Sequence, residues 1–221
     1  MSEFIREVDE EYRQDRIRTV LMRYRAAIAA GLVLILVGVG AYEIYARLSQ
    51  QRAESAGGRY FDATDRTRTD HGASITALDD LAKTGPAGYA LLARFRAAGL
   101  TGSTDAAAGA RAFDALADDA SVDPDLRDVA RLRAAMLLMD SADPAELRRR
   151  FDPLADGNGA YRNTAREMLG YLALRSGDDA AVGTAADAIL ADRAATPDQR
   201  QQANLMLGLV RSGKAAVAVK P

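Results

Sequence analysis

The chain of 221 residues carries 29 Lys and Arg against 31 Asp and Glu, a net charge of −2, and contains no cysteine and no tryptophan. This balance lacks the basic excess typical of nucleic-acid-binding proteins, and the absence of cysteine excludes disulfides and thiol chemistry. Alanine, arginine, leucine and aspartate dominate the sequence after residue 45, which favours helix over strand. The composition therefore predicts an all-α protein without nucleic-acid partners.

Residues 1–25 predict an amphipathic helix that forms a tail in the cytosol. Large apolar side chains recur in it at intervals of four residues or multiples of four, as Phe4, Val8, Tyr12, Val20 and Tyr24. This spacing places them on one face of a helix. We interpret the tail as a solvated lead-in to the next segment, and the alternative is a docking helix for a cytosolic partner.

Residues 26–45 read AAIAAGLVLILVGVGAYEIY and carry no charge before Glu43. A helix of this length extends about 30 Å, which matches the hydrocarbon thickness of a bilayer. We therefore expect these residues to cross the lipid bilayer once as a transmembrane helix. The alternative is a cleaved signal peptide, in which Gly38 and Gly40 would imitate the small-residue cleavage site.

The charges around this segment predict its orientation. The flank that follows it is balanced, whereas the flank that precedes it has no acid after Asp15 and carries four arginines: Arg16, Arg18, Arg23 and Arg25. Basic flanks of membrane helices stay in the cytosol. We therefore expect an inner-membrane protein with a cytosolic N-terminus and with residues 46–213 in the periplasm.

Helical segments alternate with short breaks through residues 46–213, which we interpret as one domain, and residues 214–221 are predicted to be a disordered tail. The predicted helices are Arg47–Thr69, Ser74–Lys83, Ala87–Leu100, Asp105–Asp118, Pro124–Asp140, Pro144–Leu154, Tyr161–Ser176, Ala180–Arg193 and Pro197–Ser212.

Capping residues predict where several of these helices start and stop. Asp123, Asp143 and Thr196 each stand directly before a proline, an arrangement typical of an N-cap followed by the first helical residue. Glu146 and Gln199 stand three residues after two of these caps and predict capping boxes. Five glycines predict left-handed residues at helix ends: Gly85, Gly99, Gly157, Gly177 and Gly213.

The helices also repeat in pairs. The tripeptide Arg-Ser-Gly recurs after 36 residues, and small residues at Gly170 and Gly208 would let a paired helix approach closely. Four helix starts are separated by 38, 37 and 36 residues: Pro86, Pro124, Tyr161 and Pro197. Paired helices at this interval are typical of a solenoid of the tetratricopeptide type. The alternative is an irregular helical bundle.

None of the motifs that suggest chemistry fits a catalytic or ligand-binding site. Gly208–Lys214 matches the phosphate-loop pattern, but Ala215 replaces the hydroxyl residue that would hold magnesium and no strand precedes it. His71 is the single histidine, and without cysteine a zinc site is not expected. We predict no catalytic, cofactor-binding or metal-binding residues, no small-molecule substrate and no enzymatic activity.

Two charged features remain. The acidic pair Asp178-Asp179 suits the start of a helix, and the pairs Asp79-Asp80 and Asp118-Asp119 are expected to solvate exposed helix ends. The basic run Arg148–Arg150 fans around its helix and is expected on a solvated surface. The alternative for this run is a contact with a phosphate or an acidic peptide.

The order of segments carries a resemblance. EVDEEYRQDRIRTVLMRYR precedes the single apolar span, and SQQRAESAGGRYFDA leads from it into the tetratricopeptide-like array. In this layout the chain resembles the YfgM-like proteins, ancillary inner-membrane subunits of the bacterial Sec translocon. The resemblance implies association with the SecYEG channel and with a membrane-anchored periplasmic chaperone, and it supplies no catalytic residues.

These observations predict a non-enzymatic inner-membrane adaptor at the exit side of the Sec translocon. A solenoid presents a long surface for protein binding, and the membrane anchor raises its effective concentration near other membrane proteins. Two alternatives fit the same architecture: an envelope stress regulator that signals through the cytosolic tail, and a scaffold for outer-membrane protein assembly.

Overall fold

The computed structural model describes the backbone of residues 2–68 and 70–213. It describes the side chains of residues 22–213, except those of residues 28, 68 and 69. The predicted disordered tail at residues 214–221 and the apolar face predicted for the N-terminal tail therefore lie outside the described residues. The chain divides into two compact units, one up to Ser55 and one from Ala56 onward.

The first unit is helical throughout its described part. Helix α1 is assigned from Ser2 to Asp65, so the tail, the apolar segment and the start of the next predicted helix form one element. Between Met22 and Asp65 an 18-residue window reaches a mean hydropathy of 2.2, and none of it is buried. The described residues thus contain one N-terminal helix that is long and apolar enough to span a membrane.

The second unit begins with the last residues of α1 and continues through a 3-10 turn, Arg66–Arg68, into eight further helices. These are α2 His71–Thr84, α3 Ala87–Thr104, α4 Ala106–Ala117, α5 Pro124–Leu137, α6 Pro144–Asp156, α7 Arg162–Ser176, α8 Asp179–Ala191 and α9 Pro197–Arg211. No strand occurs in the described ranges, and the prediction of an all-α protein is confirmed.

Each helix from α2 to α9 packs mainly on the helices next to it in sequence, and α7 also packs on α9. Contacts restricted to neighbouring elements are typical of a solenoid, in which helical hairpins stack one after another. Four clusters of buried residues accordingly follow one another through the array. The predicted helical-hairpin array is confirmed.

The core consists largely of alanine and leucine. Alanine is the smallest side chain with a strong helix preference, so alanine-rich faces let the helices of each hairpin lie close together. Larger side chains fill the remaining space and are fully buried, as Leu78, Leu81, Leu116, Leu147, Phe151, Leu172, Ile189 and Met206.

The N-caps predicted at the three prolines are confirmed. Asp123 and Asp143 accept hydrogen bonds from backbone N–H groups two residues on, at 2.9 and 2.7 Å. Thr196 and Gln199 form the predicted capping box, with bonds of 3.2 and 3.0 Å. The capping box predicted at α6 does not form in the described residues. The Glu146 carboxylate accepts a hydrogen bond from Arg150 rather than from the backbone N–H of Asp143.

The left-handed conformation predicted for five glycines is confirmed at two. Gly177 and Gly213 have φ of 70° and 65° and end α7 and α9. The prediction is wrong for Gly85 and Gly157, whose backbones are extended, with φ of −81° and −73°. It is also wrong for Gly99, because α3 continues through this residue to Thr104.

The close approach predicted at Gly170 is confirmed. A Cβ placed there would lie 2.7 Å from the sulfur of Met206, so the missing side chain makes room for α9. The same prediction is wrong for Gly208, where a Cβ would meet no atom within 4 Å. A further close approach was not predicted: a Cβ on Gly109 would lie 2.3 Å from Cα of Gly102, which brings α3 and α4 into backbone contact.

Candidate interaction groove

A cavity of about 370 Å3 opens between α6, α7 and α8. Its lining follows helical spacing on each element, so each helix contributes one stripe of side chains. From α6 these are Arg148, Asp152, Ala155 and Asp156; from α7 Arg166, Leu169 and Ala173; from α8 Ala181, Thr184, Ala185 and Ala188. We call this cavity the α6–α8 groove.

The groove exists because the stripe that α8 contributes is made of small side chains. The neighbouring stripe of α8 carries the larger residues Val182 and Ile189, which are completely buried in the core of the array. Alanine and threonine at the groove leave the space between α6 and α8 unfilled. The floor, from Leu169 and Ala173 of α7, is apolar.

Two carboxylates stand one helical turn apart on the α6 wall, those of Asp152 and Asp156. Within the part of the chain that the structure describes, neither takes part in a recorded hydrogen bond or ion pair. Partial burial and, next, repulsion by Asp156 raise the pKa of Asp152, and the positive charge of Arg148 opposes this increase. The α6 wall therefore carries negative charge without a fixed counter-ion.

Two arginines, Arg162 and Arg166, lie at one end of the groove, and both donate hydrogen bonds to other residues of the protein. Arg166 donates to the carbonyl of Ala155 at 3.1 Å, to Oδ1 of Asn163 at 2.9 Å and to Oδ2 of Asp192 at 3.1 Å. Arg162 binds both oxygens of Asp192, at 2.5 and 2.9 Å. The hydrogen bonds from Arg162 and, next, from the backbone N–H of Ala194 lower the pKa of Asp192 well below its usual range.

A second, more polar hollow of about 550 Å3 adjoins this end. It shares Asp156, Arg166 and Ala188 with the α6–α8 groove and extends it towards Asp192, between the end of α6 and the end of α8. The two cavities together form a surface that is apolar in its middle and charged at its end, as protein–protein interfaces combine an apolar core with a polar rim.

The three arginines of the basic run, which were predicted to be solvated, lie in three different environments. Arg150 binds both oxygens of Asp114 of α4, at 2.9 and 3.1 Å, and thereby ties α6 to α4. Arg148 lines the groove, 3.6 Å from Asp178 at the start of α8. Only Arg149 of the three has no recorded contact among the described residues and matches the expectation.

The acidic pairs are more than exposed helix ends. Asp80 accepts from Arg59 at 2.6 Å, so the last turns of α1 are tied to α2. Asp119 accepts from Arg94 at 2.7 Å; hydrogen bonds from Ser121 and then Arg94 lower its pKa to about 2. The expectation is therefore wrong for Asp80 and Asp119, which each hold an arginine, whereas Asp79 and Asp118 are exposed. The prediction for Asp178 is confirmed, since it caps α8.

The single histidine and the phosphate-loop pattern, neither of which was predicted to form a site, both lie at helix ends in the described residues. His71 is the exposed first residue of α2. Gly208 lies inside α9 and Gly213 ends it with a positive φ, so the phosphate-loop pattern is a helix terminus. Among the described residues no three metal-ligating side chains come together.

The groove itself was not predicted from the sequence. A signal was present in α8, because its small residues recur at the spacing of one helical face, from Ala181 to Ala188. That signal indicates a face without bulky packing, but it does not tell which neighbouring helices border the resulting space.

A family model described as a tetratricopeptide repeat-like domain matches residues 19–202. No match was found among curated proteins or among solved structures.

Proposed function

The chain belongs to the tetratricopeptide repeat-like domain family, and we propose that it is a membrane-anchored adaptor at the exit side of the Sec translocon. In this role the α6–α8 groove binds a segment of a partner protein, and the complex links the SecYEG channel to a membrane-anchored periplasmic chaperone. The observation that carries the interaction role is the open groove between α6, α7 and α8, together with the polar hollow that adjoins it.

Protein binding follows from the family and from the geometry of the array. Tetratricopeptide-like repeats serve as protein-interaction modules because stacked hairpins present an extended surface without chemistry of their own. The corresponding interval between α4 and α6 is tied by the Arg150–Asp114 ion pair at 2.9 Å. The Arg148–Asp178 pair, which joins α6 to the start of α8, is longer, at 3.6 Å, and leaves the rest of α8 apart from α6. The interval between α6 and α8 is therefore the more open of the two.

The membrane assignment rests on α1. Its apolar window is long enough to cross a bilayer and its exposed side chains, from Leu32 to Val39, would face lipid. The arginines before this window favour a cytosolic N-terminus, which places the array on the periplasmic side. On this basis we propose residues 1–25 as the cytosolic tail, 26–45 as the span, 46–213 as the periplasmic domain and 214–221 as its disordered tail.

The translocon and chaperone partners come from the resemblance to YfgM-like proteins in the order of segments. An anchored binding domain works at high effective concentration near other membrane proteins, so a modest affinity for the channel suffices. An array of this kind next to the channel would meet newly exported chains as they emerge.

Photo-crosslinking in intact cells tests this function. The full chain carries p-benzoylphenylalanine either in place of Thr184, which lines the groove, or in place of Asp187, which is exposed on the same helix but does not line it. Irradiated membranes are solubilised in mild detergent, and crosslinked proteins are identified by mass spectrometry. We expect SecYEG subunits or a periplasmic chaperone to be crosslinked through Thr184 and not through Asp187.

Other outcomes separate the competing functions. Crosslinking of outer-membrane assembly factors through Thr184, with no translocon subunit among the products, would indicate an assembly scaffold rather than an adaptor. Loss of a stress response on deletion of residues 2–13, with export unchanged, would indicate a regulator that signals through the tail. Equal crosslinking through Thr184 and Asp187 would refute the groove as the binding site.

A further inference from the structure

The charges of the α6–α8 groove are not balanced once the contacts of each group are considered. Three acceptors already hold Arg166, and Arg148 faces Asp178 at 3.6 Å. The carboxylates of Asp152 and Asp156 form no hydrogen bond or ion pair among the described residues, although the charge of Arg148 lowers the pKa of Asp152. The charge that remains available to an incoming group is therefore negative.

We propose that the groove binds a protein segment presenting a lysine or arginine, whose cation lies between the carboxylates of Asp152 and Asp156 and whose aliphatic stem lies on the alanine face of α8. This inference rests on the proposed role in protein binding and defines the chemistry of the segment that is bound.

The spacing of the two carboxylates fits one cation. Residues four apart on a helix have Cβ atoms about 5–6 Å from one another, so an ammonium or guanidinium between them contacts both side chains. The cation would also relieve the repulsion that, together with burial, raises the pKa of Asp152. An anionic segment would meet this repulsion instead and would have to displace the acceptors that hold Arg166.

The walls fit the rest of such a side chain. Lysine and arginine place their methylene stems on apolar surface while the charged head remains polar, and Ala181, Ala185 and Ala188 offer that surface opposite the acidic wall. A volume of about 370 Å3 is at the lower end of the range for ligand pockets, about 300–1,000 Å3. The groove therefore suits one anchoring side chain and its neighbours rather than a whole helix.

Fluorescence anisotropy with two matched peptides tests the inference on the full chain in a nonionic detergent. The first probe is acetyl-Ala-Leu-Lys-Leu-Ala-amide with an uncharged label, and the second replaces lysine by norleucine, which keeps the stem and removes the charge. Charge-assisted contacts to two carboxylates predict a Kd about tenfold lower for the lysine peptide. The double variant Asp152→Asn/Asp156→Asn should lose this preference.

A control variant separates the local contact from net charge. Asp79→Asn/Asp187→Asn removes the same charge from exposed residues outside the groove, so it should keep the full preference for lysine. Equal binding of both peptides, binding of neither, or an unchanged preference in Asp152→Asn/Asp156→Asn would overturn the inference. Each of these results leaves the proposed function open to its own test, because crosslinking through Thr184 reports any bound segment whatever its charge.

Discussion

Replacement of Gly109 by alanine tests the backbone contact between α3 and α4. In the present structure a Cβ on this residue of α4 would lie 2.3 Å from Cα and 2.5 Å from N of Gly102 in α3, and 3.0 Å from the carbonyl oxygen of Ala98. Carbon atoms in favourable contact are about 3.5–4.0 Å apart. The two helices must therefore separate by more than about 1 Å to admit one methyl group.

The expected loss of stability follows from two opposed terms. Overpacking costs up to about 3 kcal/mol, and the upper value applies because the opposing atoms belong to backbone and cannot rotate away. The better helix propensity of alanine returns about 1 kcal/mol. The net destabilisation of Gly109→Ala is then about 2 kcal/mol, which lowers Tm by about 4–8 °C for a domain of this size.

Gly183→Ala is the matched control. Gly183 lies in the interior of α8, in the hairpin two repeats further on, and a Cβ there would meet no atom within 4 Å. Only the propensity term applies, so this variant should gain up to about 1 kcal/mol and about 2–4 °C in Tm.

The assay is thermal unfolding of the full chain in detergent, followed by far-ultraviolet circular dichroism. The decisive quantity is the difference in Tm between the two alanine variants, because it cancels the effect of the detergent. If Gly109→Ala were as stable as Gly183→Ala, the close contact of α3 with α4 would be refuted.

Three further predictions concern polar contacts in the array and are measured by urea unfolding. Arg150→Met should lower the free energy of unfolding by about 1 kcal/mol or less, since it removes the partly exposed ion pair with Asp114; a loss as large in the Asp114→Asn background as in the unaltered protein would contradict the pairing. Thr196→Ala removes half of the capping box of α9 and should cost about 1 kcal/mol, whereas a change below a few tenths would contradict the cap. The pKa values of Asp119 and Asp192 are lower in the folded protein than in the unfolded chain, so both carboxylates contribute stability above about pH 4 that is lost as the pH falls towards 2. In the double variant with asparagine at both positions, the free energy of unfolding should fall less as the pH is lowered. The same pH dependence of this free energy as in the unaltered protein would refute these contacts.

Much of the helical framework was determined by the sequence itself, because the interactions that define it are local. A cap such as Asp143 binds a backbone N–H two residues away, so helix starts were predicted correctly from neighbouring residues. The apolar segment at residues 26–45 is likewise a property of consecutive side chains. The repeat of about 37 residues could be read directly, and with it the helical-hairpin array.

Only the tertiary structure decided which of two similar residues allow a close helix contact. Gly170 and Gly208 both lie inside the second helix of a hairpin, in α7 and α9, yet Met206 packs on Gly170 and nothing described packs on Gly208. The contact of Gly109 with Gly102 and the groove between α6 and α8 depend in the same way on how separate helices meet. Such features are set by distances between elements, which local propensity and capping do not specify. The helices of this protein follow from its sequence, whereas its candidate binding surface follows from the space left between them.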